Sequence, residues 1–208
     1  MIEEGQDDPD GDDDDKFDNN GDGDNEDDDD DDESLPIPGG AARWTPLFQA
    51  AHGGRCAEVL AHLRAGTEVD GAAEEGGHTL LIAAALHGHD ALVLALLGTG
   101  AQVDMTDNDG RTPLFAAASE GHEAAVLALL KGGAMVDATS SNGFTPMLMA
   151  MRKGNEAVCA ALLRAGAEVD KANPQGVTAL YAAALGGHEA ALAMLLRAGA
   201  ESRSGCRS

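Results

Sequence analysis

One phrase recurs five times along this chain at a nearly fixed interval, and no other property restricts the fold as much. Its third copy is "TPLFAAASEGHEAAVLALLKGGAMVD", residues 112–137. A Thr opens each copy, at Thr45, Thr79, Thr112, Thr145 and Thr178, with spacings of 34, 33, 33 and 33. Nine residues on stand Gly54, Gly88, Gly121, Gly154 and Gly187. Eighteen on stand Leu63, Leu97, Leu130, Leu163 and Leu196, and twenty-one on Gly66, Gly100, Gly133, Gly166 and Gly199. Asp70, Asp104, Asp137 and Asp170 follow at offset 25, until Arg203 breaks the series. Such a period specifies stacked units, each unable to bury its apolar face alone.

The unit reads as two short helices. Thr followed by Pro, at Thr45–Pro46, Thr112–Pro113 and Thr145–Pro146, is an N-cap with proline at the first helical position, where its missing N–H costs nothing. An Ala-rich helix of about two turns follows, as in "LFAAASE", and the Gly at offset 9 ends it. The second helix shows apolar residues at helical spacing (Val126, Leu129 and Leu130 in the third copy) and stops at the next Gly. A turn-rich link such as "MTDNDGR", residues 105–111, leads to the next unit. Aromatics make up only 3% of the chain, so Ala, Leu and Val must build the core.

The pattern T-P-L-x-x-A-A…G-H-x-x-x-V-x-x-L-L-x-x-G-A-x-V-D, over residues 41–203, resembles the ankyrin repeat. The resemblance implies an all-α solenoid of about five stacked helix-turn-helix units with projecting hairpin-like loops. The units fall at about 41–70, 71–104, 105–137, 138–170 and 171–203. It also implies a non-enzymatic protein-binding module that uses loop tips and a concave first-helix face. Three departures stand out. The His expected after T-P-L is replaced by Phe48, Ile82, Phe115, Leu148 and Tyr181, so apolar packing must substitute for its polar link. Glu58 and His62 replace apolar residues in the first unit, as suits an end in water. The fifth unit stays apolar at Leu192, Met194, Leu195 and Leu196, although a solenoid end is normally polar. Further repeats or a capping partner are therefore expected at that face, and the chain reads as a piece of a longer protein.

Positions that differ between copies are released from stacking duty. Just before each Thr stand Trp44, His78, Arg111, Phe144 and Val177. Further back in the links are Glu75, Asn108, Asp109, Ser141, Asn142 and Gln175. At the ends of first helices are His52, His87, Ser119, Glu120, Arg152 and Lys153. On the geometry of the resembled family these share one side, and they are the expected partner-binding residues.

Other chemistry has less support. His89, His122 and His188 recur next to the Gly turn, but successive units about 10 Å apart cannot share one ion at about 2 Å. They read as structural, hydrogen-bonding loop backbone near the start of the second helix. Cys56 and Cys159 read as small core fillers. No catalytic constellation, cofactor motif or patterned basic surface is found, so neither an enzyme nor a nucleic-acid binder is expected.

The net charge of −24 is concentrated at one end. Residues 1–34 hold 20 Asp or Glu and only Lys16, leaving −5 for residues 35–208. So charged a segment cannot offset its ordering entropy, and 1–34 reads as a disordered acidic tail, with 35–40 a Pro/Gly linker and 204–208 a C-terminal tail. Asp18, Asn20, Asp22 and Asp29 fit part of a calcium loop, a weak candidate without the bidentate Glu or flanking amphipathic helices. Met1, Ile2, Glu3 and Glu4 do not begin a signal peptide, and no stretch is apolar enough to span a membrane. Cys56, Cys159 and Cys206 show no disulfide or metal spacing. A cytoplasmic or nuclear setting is expected, without membrane contact. The partner is a protein of unknown identity. Two alternative roles are a recognition fragment of a larger ankyrin-containing enzyme, channel or signalling protein, and an acidic-tail binder of basic proteins.

Overall fold

The structure, a computed structural model, describes residues 45–71 and 76–199. Its described part contains five pairs of short helices and no strand. The first helices of the pairs are α1 (Pro46–His52), α3 (Leu80–Leu86), α5 (Pro113–Glu120), α7 (Pro146–Lys153) and α9 (Ala179–Leu185). The second helices are α2 (Cys56–Arg64), α4 (Asp90–Gly98), α6 (Glu123–Lys131), α8 (Glu156–Arg164) and α10 (Glu189–Arg197).

Each first helix begins at the repeating Thr. The Oγ1 atoms of Thr79, Thr112, Thr145 and Thr178 accept from the N–H groups of Ile82, Phe115, Leu148 and Tyr181 at 3.1–3.3 Å. This satisfies one of the orphan donors of the first turn, which stabilises a helix start by about 1 kcal/mol. Thr45 departs from the expectation: its side chain makes no cap bond, and it is exposed where the other four are buried. Cap and burial go together, because the later Thr residues are covered by a preceding pair.

Pairs stack in two layers. First helices pack on first helices (α1 on α3, α3 on α5, α5 on α7, α7 on α9), and second helices do likewise. The core runs between the layers and through every junction. Ala50, Ala84, Ala117, Ala150 and Ala183 have no exposed surface and let neighbouring helices approach closely. Leu96, Leu129, Leu162 and Leu195 fill the second layer, also without exposure. The apolar residues standing where the family's His was expected, Phe48, Ile82, Phe115 and Leu148, are buried. Cys159 belongs to this core, and burial pushes its thiol up to about 12. Such a thiol is inert at neutral pH, as a core filler should be.

The two ends differ. On the first pair, Gln49, Glu58 and His62 are exposed where Ala83, Leu92 and Leu96 are buried one unit later. The polar end foreseen from Glu58 and His62 is thus present. On the fifth pair, Tyr181, Leu185 and Leu196 are 57%, 76% and 57% exposed.

Candidate functional site

The surface that differs between copies is built on two supports: the links between pairs and the last turns of the first helices.

Each described link folds as a tight hairpin-like turn around a short polar side chain. In the link before α5, Asp107 N–H donates to the Arg111 carbonyl and Gly110 N–H to the Asp107 carbonyl, at 3.1 and 3.0 Å. Asp107 Oδ1 accepts from the N–H groups of Asp109 and Arg111 at 2.9 and 2.8 Å. Asn173 Oδ1 does the same for Gln175 and Val177 at 3.1 and 2.9 Å, and Ser140 Oγ accepts from Phe144 N–H at 3.2 Å. Side chains that mimic a turn in this way fix the loop before any partner arrives. Adjacent links are also joined: Asn108 N–H donates to the Gly76 carbonyl at 3.0 Å, and Ser141 N–H to the Asp109 carbonyl at 2.8 Å. At the next step stands Pro174, which has no N–H to give.

Asp107 carries a further network. Its Oδ2 meets Arg111 Nε at 2.7 Å and His78 Nε2 at 3.5 Å, while Arg111 Nη2 reaches Asp109 Oδ2 at 3.1 Å. The Asp107 side chain is fully buried. Arg111, expected as a partner contact, is therefore anchored to its own loop and keeps only part of its guanidinium for a partner. Asn108, Asp109, Ser141, Asn142 and Gln175 are exposed at the loop tips, with Phe144 and Val177 half-buried below them.

The first-helix ends form the second support. Glu120, Arg152 and Lys153 are exposed. Ser119 is not the surface residue expected of it: it is buried, and its hydroxyl donates to the Ala116 carbonyl at 2.9 Å. His52 and His87 come together, ring centroids 3.8 Å apart, with His89 at 6.0 Å from His87. Burial, then the nearby His52, His89 and His122, lower the His87 pKa below its ordinary value, and Glu120 opposes them. The cluster therefore resists protonation at His87.

The recurrent His residues are structural, but their acceptors are not in the loops. His89 Nε2 lies 2.7 Å from the His52 carbonyl, His122 Nε2 3.0 Å from that of Leu86, and His188 Nε2 3.1 Å from that of Arg152. Each acceptor is a last-turn carbonyl of the preceding pair's first helix, where the helix's own ladder runs out. Asn155 replaces His in the fourth pair and donates to the Ala118 carbonyl at 3.0 Å. Sequence reading missed Asp107, Ser140 and Asn173; the signal was a short hydrogen-bonding side chain five residues before the Thr in the last three copies.

Among the described residues, no group of three or more His, Cys, Asp or Glu is placed to hold a metal ion, and no helix is long and apolar enough to cross a membrane. Trp44, Glu75 and the calcium candidates Asp18, Asn20, Asp22 and Asp29 lie outside the described residues, as do the acidic tail, the linker and Cys206.

A family model described as ankyrin repeats, three copies, matches residues 25–107, 47–140, 80–173 and 133–205. No curated protein matches the chain.

Proposed function

The chain belongs to the ankyrin repeat family, whose stacks are generally protein–protein interaction modules, and on that premise we propose that it binds a protein partner through its loop tips and first-helix ends. The role is non-enzymatic, that of a scaffold or adaptor. The supporting observation is a division of labour. Residues shared by all copies are spent in junctions, whereas Asn108, Asp109, Ser141, Asn142, Glu120, Arg152 and Lys153 are exposed on supports bonded from behind. A surface fixed in advance loses little ordering entropy on binding, so more of the contact energy appears as affinity.

The proposed organisation has the binding stack at 41–203, an acidic segment at 1–34, a linker at 35–40 and a short tail at 204–208. The test is affinity capture with the full chain beside two triple variants. One carries Asn142→Ala, Arg152→Ala and Lys153→Ala on the proposed face. The other carries Glu123→Ala, Glu156→Ala and Arg164→Ala on second helices. Specific partners should be lost by the first variant and kept by the second. Equal recovery by wild type and the first variant overturns the reading.

A further inference from the structure

We propose that the fourth unit is the specificity centre of the partner face, and that the segment it takes is an amphipathic helix with a large apolar side chain and two carboxylates over α7 and a basic residue over the end of α5. The inference rests on the reading of that face as the partner surface, and it names the chemistry that the face selects.

Among the first helices, α7 differs in what it shows to solvent. Arg152 and Lys153 lie in its last turn; α3, α5 and α9 have no basic residue there, and α1 has only His52. They are the only two adjacent basic residues in the sequence. Both are exposed, and among the described residues neither is in an ion pair. Other cations are already committed: Arg55 to Glu58 at 3.0 Å, Arg111 to Asp107 and Asp109, and Lys171 Nζ to the Asp137 carbonyl at 3.0 Å. One turn earlier on α7, Met149 is half-buried, where Ala83, Ala116 and Ala182 are buried in the neighbouring units. Residues three and four apart are neighbours on a helix surface, so Met149, Arg152 and Lys153 form one patch, an adaptable apolar side chain bordered by two unpaired cations.

A cation near a helix C-terminus also complements the helix dipole. That duty does not account for the pair: α6, α8 and α10 meet it with one cation each, and α3, α5 and α9 end with none. Nor does it call for Met149. One unit back, Glu120 holds the place equivalent to Lys153, exposed, with Oε1 accepting from the Ser119 hydroxyl at 3.1 Å. Although α5 packs on α7, Glu120 and Lys153 do not pair. The sign of the surface therefore reverses across one junction.

The spacing selects the form of the partner. Packed helices stand about 10 Å apart. A helix laid across the units puts residues seven apart on one face at about 10.5 Å, close to that step. A strand puts same-face residues at about 7 or 13 Å, which fits it poorly. A helix with Lys or Arg at one position, Leu or Met four residues on, and Asp or Glu seven and eight residues on sets each charge against its opposite and the apolar side chain against Met149. A uniformly acidic segment is repelled at Glu120, and a uniformly basic one at Arg152 and Lys153, so the face discriminates by repulsion as well as by attraction.

The test uses the full chain and three fluorescein-labelled, Ala-based helical peptides. The first carries the Lys, Leu, Glu, Glu pattern at that spacing; the second has Glu in place of its Lys, and the third Ser in place of its Leu. Fluorescence anisotropy at low ionic strength should rank the first tightest. Lys153→Glu should weaken it at least about tenfold, and Arg164→Glu, an equal change of net charge on the second-helix layer, by less than about twofold. Met149→Ala should weaken the first peptide about fivefold and leave the third unchanged. Glu120→Lys should reverse the order of the first and second peptides. Each variant is checked for unchanged helicity. No binding of the first peptide, equal weakening by Lys153→Glu and Arg164→Glu, or a peptide order that survives Glu120→Lys overturns the proposal. So does tighter binding of a single-stranded oligonucleotide, since a plain polyanion would then be the occupant. If the variant with Asn142→Ala, Arg152→Ala and Lys153→Ala loses its captured proteins while the first peptide fails to bind, the partner face stands and this assignment alone falls.

Discussion

His188 stands directly over Gly154, so that a Cβ on the glycine would meet its Nδ1 at 2.5 Å while its Nε2 reaches the Arg152 carbonyl at 3.1 Å. One ring thus closes a helix end and occupies the space that only glycine leaves. Gly154→Ala should incur both the left-handed backbone penalty, at φ +73°, and displacement of the ring. Gly187→Ala, at φ +69° with no described neighbour within 4 Å, should incur the backbone penalty alone. The expected loss is about 1–2 kcal/mol for Gly187→Ala and at least about 1 kcal/mol more for Gly154→Ala. Equal losses in urea unfolding would show that the interlock contributes nothing.

At His122 the recurring element is an N–H donor rather than an imidazole, because Asn155 Nδ2 reaches the equivalent Ser119 carbonyl one junction later at 3.3 Å, beside its bond to the Ala118 carbonyl. His122→Ala leaves the Leu86 carbonyl without its partner and should cost about 1 kcal/mol. His122→Asn should restore most of that loss. Thermal unfolding of the two variants side by side is the measurement, and an Asn variant as weak as Ala would refute the equivalence.

The link before α5 depends on Asp107. Asp107→Ala removes the acceptor of two backbone N–H groups together with the partner of Arg111, and should destabilise by about 2 kcal/mol. Asp107→Asn should keep the turn, as Asn173 does in the fifth pair, and lose only the charge attraction of Arg111. Hydrogen exchange at the Asp109 and Arg111 amides reads the difference: fast in the Ala variant, near wild type in the Asn variant.

His87 couples folding to pH. Its pKa is lowered in the fold, so the unfolded chain takes up its proton first as the pH falls below about 6.5. The stability associated with neutral His87 is complete above that value and declines as the pH falls towards the lowered folded pKa. His87→Gln has no such proton. The melting temperature of wild type should therefore fall more steeply than that of His87→Gln between pH 7 and pH 5. Parallel profiles would refute the coupling through His87.

The stacked all-helical fold was legible because capping and close packing impose the same residue at the same offset, as at Gly121 and Leu130. Bonds between units were less legible. A period shows that His89, His122 and His188 share a duty, but not which neighbouring unit holds the acceptor. The substitution of Asn155 hides the duty further. The candidate surface was read from variation between copies, and that signal marks freedom from stacking rather than freedom from local bonds. Ser119 and Arg111 vary, yet one hydroxyl is turned onto its own helix and one guanidinium onto Asp107. Thr45 shows the opposite limit: it matches the other Thr residues in sequence, but with no described pair before it its side chain makes no cap bond.

Pro174 gives the loop edge an unequal resistance to load. Pulled along that edge, the Asn108–Gly76 and Ser141–Asp109 bonds share the shear. The step at Pro174 has no backbone donor with which to do so. The fifth link is held there instead at its base, where Glu168 N–H donates to Asp137 Oδ1 at 3.1 Å and Lys171 Nζ to the Asp137 carbonyl at 3.0 Å. Under tension the tip at Pro174 would part first, leaving the bonds at Asp137 to hold the fifth link while the three links before it remain laced tip to tip.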